Sequence, residues 1–414
     1  MSAPGAQQFW RALAAIVTVG VVIRVLYTLL EAPWPPAALD DQFYFSALPA
    51  LLAGGEGFVA PFRFVFDDVV VATAEHPPFY SVVLAIPAEL GLTSPDAQRL
   101  AGAVFGAGTI GTVGLLGRRL AGPRAGLLAA ALAALYPTLI AADGALMSET
   151  LYGLLAALML LAAYRLVDEP GLGRAFVLGG VSALAAMTRG EALLLLALIL
   201  LPLLRRPGGV RAALVAVAAL VLVLAPWTAR NWIVFDRPVL IATNAGTAIA
   251  GANCDETYGG RNLGGWWLQC IQEHRGNEAE RHAEALGDGL DYARDHASRL
   301  PVVLAARLGR VWSVYRPFTI PEGRSVRVQK LGVIAFFVLL PLAAVGVLLL
   351  RRRGVMVWIL LAPFVTVTVT ALITYGNMRF REPAELSLVA LAAVALDWLW
   401  RRRDKRRARE AVAA

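Results

Sequence analysis

The tightest constraint on this chain is a series of apolar runs, each near the ~20 residues that an α-helix needs to cross the hydrocarbon core of a bilayer. Ten such runs are read: residues 10–30, 97–120, 124–141, 148–166, 174–188, 191–204, 210–228, 331–350, 355–373 and 384–400. A segment surrounded by lipid must satisfy its own backbone hydrogen bonds, so the runs predict helices and exclude an open sheet. Composition agrees. Of the 414 residues, 58% are apolar and 16% charged, where a soluble domain carries roughly 25% charged residues. The expected fold class is therefore an all-α polytopic membrane protein, with one transmembrane domain over residues 1–400 and a basic tail at 401–414. The first run is longer than the ~7–15 apolar residues of a signal peptide and lacks a cleavage site, so it reads as a span. The two short runs flanking Arg189 and Gly190 read as broken helices as readily as full crossings.

The net charge of +8 would point a soluble protein toward nucleic acid. Here the cations cluster beside apolar runs, so they read as topology signals and nucleic acid is not an expected partner. Arg118, Arg119 and Arg124 flank one turn, Arg165 and Arg174 a second, and Arg205, Arg206 and Arg211 a third. Arg351, Arg352 and Arg353 mark a fourth, and the tail from Arg401 to Arg409 a fifth. With ten crossings all five groups share one side, which the positive-inside rule makes cytoplasmic. Both termini are expected there, in a multi-pass protein of the inner (plasma) membrane. Two long connections, 31–92 and 230–330, then lie on the outer face. Loops of such length in a compact domain usually carry function.

The outer segments hold the chemistry-bearing side chains. Asp40 and Asp41 open a stretch with helically spaced apolar residues that stops at Gly54 and Gly55, the pattern of a helix lying at the interface. A carboxylate there is favoured by the helix dipole. It serves either as a cap or as a reacting group. His76 precedes Pro77 and Pro78, at a helix entry, where it can orient a carboxylate, bind a phosphate, ligate a metal or cap. Asp143 and Glu149 straddle the start of the fourth run. Glu149 lies near membrane depth, where an ionisable group marks function by default. Arg189 and Glu191 sit in another outer turn, as an ion pair or as part of a site. Arg379 and Arg381 break the positive-inside trend, as does Arg230. Guanidinium offers paired donors to phosphate oxygens, so a lipid phosphate would account for the exceptions. Cys254 and Cys270 are the only cysteines, both in the second outer loop. A disulfide is expected there, since the pair lacks partners for a zinc site. No cofactor follows from a motif. Asp40, Asp143, Glu149 and His76 offer ligand atoms for a divalent cation, without tight ligand spacing.

Taken together, these segments resemble the GT-C glycosyltransferases, specifically the bacterial branch related to protein O-mannosyltransferases and lipid A aminoarabinose transferases. The resemblance rests on Asp40-Asp41 with Tyr44, His76-Pro77-Pro78, the Ser148-Glu149 turn, Pro226-Trp227 with Arg230-Asn231, and Arg379-Phe380-Arg381 before the last helix. It spans roughly residues 10–400. It implies an enzyme that takes a hexose or pentose from a polyprenyl-phosphate carrier and gives it, with inversion, to a hydroxyl of a glycan, lipid or protein acceptor on the outer face. It further implies Asp40 as general base, with Asp41 in place of the family's usual Glu and Asp41 or Asp143 assisting. Arg379, Arg381 and Arg230 would hold the donor phosphate, supported by His76, Tyr44, Glu149 and Arg189.

Two other classes compete. A lipid or small-anion transporter or flippase needs no base and favours ionisable groups near the midplane of paired, interrupted helices. A structural assembly subunit gives the acid-rich outer loops no purpose. Clustering of the acids at one face favours the enzyme.

Overall fold

A computed structural model describes residues 5–32, 40–318 and 324–413. The expected outer-loop residues 33–39, part of the second outer loop at 319–323, and the side chain of Arg409 lie outside the described residues. All ten apolar runs are helical. Helix α1 (Ala6–Leu30) leads into a loop carrying α2 (Asp41–Ala53), α3 (Pro61–Asp67) and α4 (Phe79–Glu89). Then come α5 (Pro95–Ala121), α6 (Pro123–Leu135), α7 (Pro137–Gly144), α8 (Glu149–Asp168), α9 (Leu172–Ala186), α10 (Ala192–Leu203) and α11 (Gly209–Phe235). The second loop folds as α12 (Asn244–Ala252), α13 (Asp255–Tyr258), α14 (Glu278–Asp295) and α15 (Leu300–Val311), before α16 (Val326–Arg352), α17 (Trp358–Ile373) and α18 (Glu382–Ala413) close the chain. The second loop carries the Cys254–Cys270 disulfide, with Cα atoms 6.0 Å apart.

Among the described residues, six helices are long and apolar enough to cross a membrane, and the bent pair α6–α7 makes up to seven. The remaining apolar helices are shorter. At 1.5 Å rise per residue, the 12 residues of α10 reach about 18 Å, well short of a ~30 Å hydrocarbon core. The expected ten runs thus all form helices, but ten full crossings are not reached by length. Pro137 explains the break between α6 and α7, which bend by 54°. It cannot donate to the preceding turn, yet suits the first position of the next helix.

The core lies where α5 packs on α1, α6 and α8, and where α16 runs along α18. Leucines and alanines of these helices are fully buried, among them Leu116, Ala129, Leu160 and Leu388. Large apolar side chains on α11 and α16 instead face outward, including Leu222, Val221 and Ile334, as a lipid-facing surface requires. One end of the bundle gathers the arginines. Arg119 pairs with Asp168, Arg206 donates to Val167 O, and Arg124 lies near both Asp397 and Asp404. The opposite end gathers the acids of the two long loops.

Candidate active site

Asp40 and Asp41 are adjacent but have different surroundings. Asp40 is the N-cap of α2. Its Oδ1 accepts from the backbone N–H of Gln42 and Phe43, and Oδ2 accepts from Gln42 Nε2. Asp40, expected to lead the site, is thus held by the start of its own helix. Asp41, the next residue, points to partners from distant segments. His76 Nε2 lies 3.4 Å from Asp41 Oδ1, and Arg379 Nη1 lies 3.4 Å from Oδ2. Its side chain keeps 37% of its surface exposed, enough for a second molecule to touch it.

The cluster continues inward. Arg379 Nε stands 3.5 Å from Glu149 Oε1, and Arg189 Nη1 stands 2.9 Å from the same oxygen. Arg189 also reaches Glu191 at 2.6 Å. Phe380 lies between the two guanidinium groups, with centroid distances of 5.4 Å to Arg189 and 5.5 Å to Arg379. Tyr44, one turn along α2, sets its ring edge-on to His76 at 4.6 Å, and His76 Nδ1 meets Asn244 Nδ2 at 3.3 Å. The segment around His76 is fixed on its C-terminal side by Pro77, Pro78 and the hydrogen bond from Phe79 N to Met187 O, and on its N-terminal side by Asn244 N donating to Glu75 O. Asp41, His76, Glu149, Arg189 and Arg379, which are far apart in sequence, thus meet at one end of the bundle.

Electrostatics explain the state of the outer pair. Desolvation opposes charge on Asp41, but His76 and Arg379 outweigh it and hold the carboxyl below the ordinary range. Burial likewise opposes the His76 imidazolium, and the facing Asp41 carboxylate more than compensates, so His76 is raised.

Three other expected site residues have partners outside this cluster. Asp143 is buried and paired with Arg24, and accepts from Thr150 Oγ1. Arg24 also donates to the carbonyls of Gly20, Ala133 and Ala134. A Cβ at Gly106 would overlap both Asp143 and Arg24, so the pair is sealed by close helix contact. Arg381 is fully buried. It pairs with Glu385 at 2.6 Å, donates to Ser313 Oγ at 2.8 Å and lies over the Phe336 ring. Arg230 donates to the carbonyls of Thr73 and Phe58 and stacks on Trp227, fastening the first loop to α11. Both arginines, expected at a phosphate, are engaged by protein groups here.

Two residues at this end escaped the sequence reading. Arg324, before α16, is buried, and its Nε and Nη2 have no hydrogen-bond partner among the described residues. Glu382, at the start of α18, is buried against Gly153 of α8, where a Cβ would come within 3.0 Å of Oε1. An arginine just ahead of an apolar run looks like any interfacial cation, so no local signal singled out Arg324. Among the described residues, no three His, Cys, Asp or Glu side chains converge as metal ligands.

The whole-chain arrangement matches the archaeal oligosaccharyltransferase AglB from Archaeoglobus fulgidus, solved with an inhibitory peptide and a dolichol-phosphate, with a TM-score of 0.61, 15% identity, 98% of this chain covered and 52% of that one. The fold is that of the GT-C glycosyltransferases. An apo structure of the Archaeoglobus fulgidus oligosaccharyltransferase matches this chain with a TM-score of 0.57 at 14% identity, over 97% of this chain and 52% of that one. The chain spans about half the length of these proteins. ArnT from Cupriavidus metallidurans, bound to undecaprenyl phosphate, gives a TM-score of 0.48 at 16% identity, over 92% of this chain and 77% of that one. A family model described as dolichyl-phosphate-mannose-protein mannosyltransferase matches residues 75–232. No curated protein matches the chain at a significant level. With its apolar helices, the GT-C fold makes the chain an integral membrane protein.

Proposed function

We propose that the protein is a membrane glycosyltransferase that moves a sugar from a polyprenyl-phosphate donor to an acceptor hydroxyl, with Asp41 as the general base. The observation that carries this reading is the convergence of Asp41, His76, Arg379, Glu149 and Arg189 at one end of the bundle. The matching family model is described by a dolichyl-phosphate-mannose donor and a protein acceptor. The structural neighbour AglB holds a dolichol-phosphate and a peptide. Both support a prenyl-phosphate donor for this chain. The acceptor is a glycan, lipid or protein.

The chemistry follows from the charges. The acceptor O–H gives its proton to Asp41 as its oxygen attacks the anomeric carbon. The bond from that carbon to the phosphate oxygen breaks on the opposite face, and its electron pair leaves with the prenyl phosphate. Inversion results, through an oxocarbenium-like transition state. The lowered proton affinity of Asp41 makes it a modest base. Much of the barrier reduction must then come from cations at the departing phosphate. Arg379 and Arg189 stand nearest to Asp41 and Glu149 for that task. The arginine-rich end is assigned to the cytoplasm by the positive-inside rule. This puts the acid cluster on the outer face of the inner membrane, with both termini inside.

The test is transfer by purified protein in lipid vesicles, supplied with radiolabelled polyprenyl-phosphate sugars and an envelope extract as acceptor. Label should move into the extract with wild type and not with Asp41→Asn. Movement of intact donor between leaflets, without sugar transfer, would favour a flippase instead.

A further inference from the structure

Helix α8 starts at Glu149, in the acid cluster, and ends at Asp168, among the arginines. Between its second half and α9 lies a groove of about 240 Å³. Leu158, Leu161 and Arg165 line it from α8, at the three- and four-residue spacing of one helix face. Arg174, Val177 and Val181 line it from α9. The α8 wall rises about 10 Å from Leu158 to Arg165, and both guanidinium groups stand at its arginine-rich end. Val177 and Phe176 are exposed, so the groove opens sideways out of the bundle.

The charges at that end do not balance. Arg119 pairs with Asp168 and Arg174 pairs with Glu169, so both acids of the α8–α9 turn are compensated. Arg165 is exposed, and its side chain makes no hydrogen bond or ion pair among the described residues. Among the described residues no carboxylate lines the groove. A positive charge thus stands at the mouth of an apolar slot. Empty, the walls of such a slot lack contact partners, and an acyl chain supplies them. A guanidinium between helices, at the level of the headgroups, attracts an anionic one. A second copy of the chain fits less well, because the acids of this end, Asp168, Glu169, Asp397 and Asp404, already face arginines of their own chain.

We propose that this groove is a binding site for an anionic phospholipid of the leaflet at the arginine-rich end. One acyl chain lies along Leu158, Leu161, Val177 and Val181, and the headgroup phosphate meets Arg165. The site sits at the other end of α8 from Asp41 and stands whether or not the protein transfers sugar. A zwitterionic lipid brings the same chains, but its own cation offsets its phosphate. The charge on Arg165 therefore decides between the two.

The experiment offers equal amounts of dioleoyl phosphatidylglycerol and dioleoyl phosphatidylcholine to full-length protein in detergent, and weighs the intact complexes by mass spectrometry. Wild type should retain one phosphatidylglycerol, favoured about fivefold over phosphatidylcholine, the share that one guanidinium contributes at an anionic headgroup. Arg165→Gln should bring the two lipids to near parity with the thermal unfolding midpoint unchanged, since the side chain is exposed and holds nothing in the protein. Val181→Trp, which fills the groove and keeps the charge, should lower retention of both lipids several-fold. Equal retention by wild type reduces the groove to ordinary boundary lipid and overturns the proposal, as does a preference that survives Arg165→Gln. Retention untouched by a folded Val181→Trp separates the lipid from the groove and overturns it as well. A two-chain mass that Val181→Trp returns to one chain makes a second copy the occupant, with the same result. Should Val181→Trp fail to fold, the Arg165→Gln ratio decides alone.

Discussion

Two carboxylate–guanidinium groups at the same end of the bundle use the same chemistry to opposite ends. In the sealed group, Asp143 and Arg24 are buried, each finds its partners within the helices, and glycines bring backbones against them. In the open group, Asp41 is partly exposed and shares its charge with His76 and Arg379, which pass it on to Glu149 and Arg189. The sealed pair finds all its partners within the protein. The open group keeps an accessible carboxylate, as an acid that meets substrate must.

The largest expected effect breaks the open side. Asp41→Asn should lower the transfer rate by about 10³-fold, within the usual range for loss of a general base, while the thermal unfolding midpoint stays within a few degrees of wild type. The sealed side should respond in the other currency. Arg24→Met leaves Asp143 buried without its cation and should cost about 3 kcal/mol of stability, read by unfolding in detergent, with the rate per folded molecule unchanged. Adding Asp143→Leu should recover most of that loss. If Arg24→Met instead abolishes transfer at full stability, the two groups have been assigned the wrong way round.

Smaller effects sharpen the contrast within the open group. Asp40→Ala removes the cap of α2 and should cost about 1 kcal/mol, again without changing the rate per folded molecule. A rate loss as deep as that of Asp41→Asn would return the base to Asp40. The smallest effect concerns pH. His76 is raised, so its contribution is complete below its unfolded value of about 6.5 and fades as pH climbs through the folded one. Asp41 is lowered, so its share is present above about 3.9 and is lost only in stronger acid. The stability gap between wild type and His76→Gln should therefore be widest near pH 5–6 and close by pH 9. Because Asp41 is more than a third exposed, that gap should not exceed about 1 kcal/mol. A gap that widens with rising pH would contradict the pairing.

The membrane fold was legible because its signal is local. Twenty apolar residues in a row have few other destinations, and every run so read is a helix. The short α9 and α10 were legible too, since length is counted directly. The site was legible in kind but not in detail. A rule about helix starts identifies Asp40 and Asp41 together and cannot separate them, because what separates them is His76 and Arg379, which are brought in by tertiary structure. Arg379 and Arg381 illustrate the same limit. Both were read as phosphate ligands, yet the 3₁₀ turn Met378–Arg381 turns one to Asp41 and the other to Glu385, four residues along α18.

Glu278 ties two segments beside the site together. From the start of α14 it accepts hydrogen bonds from Thr73 Oγ1, Ala74 N and Thr243 Oγ1. The strand of chain bearing His76 and the one bearing Asn244 are thereby riveted to a single post. Neither can swing aside without breaking those bonds, so His76 is presented to Asp41 from a braced segment.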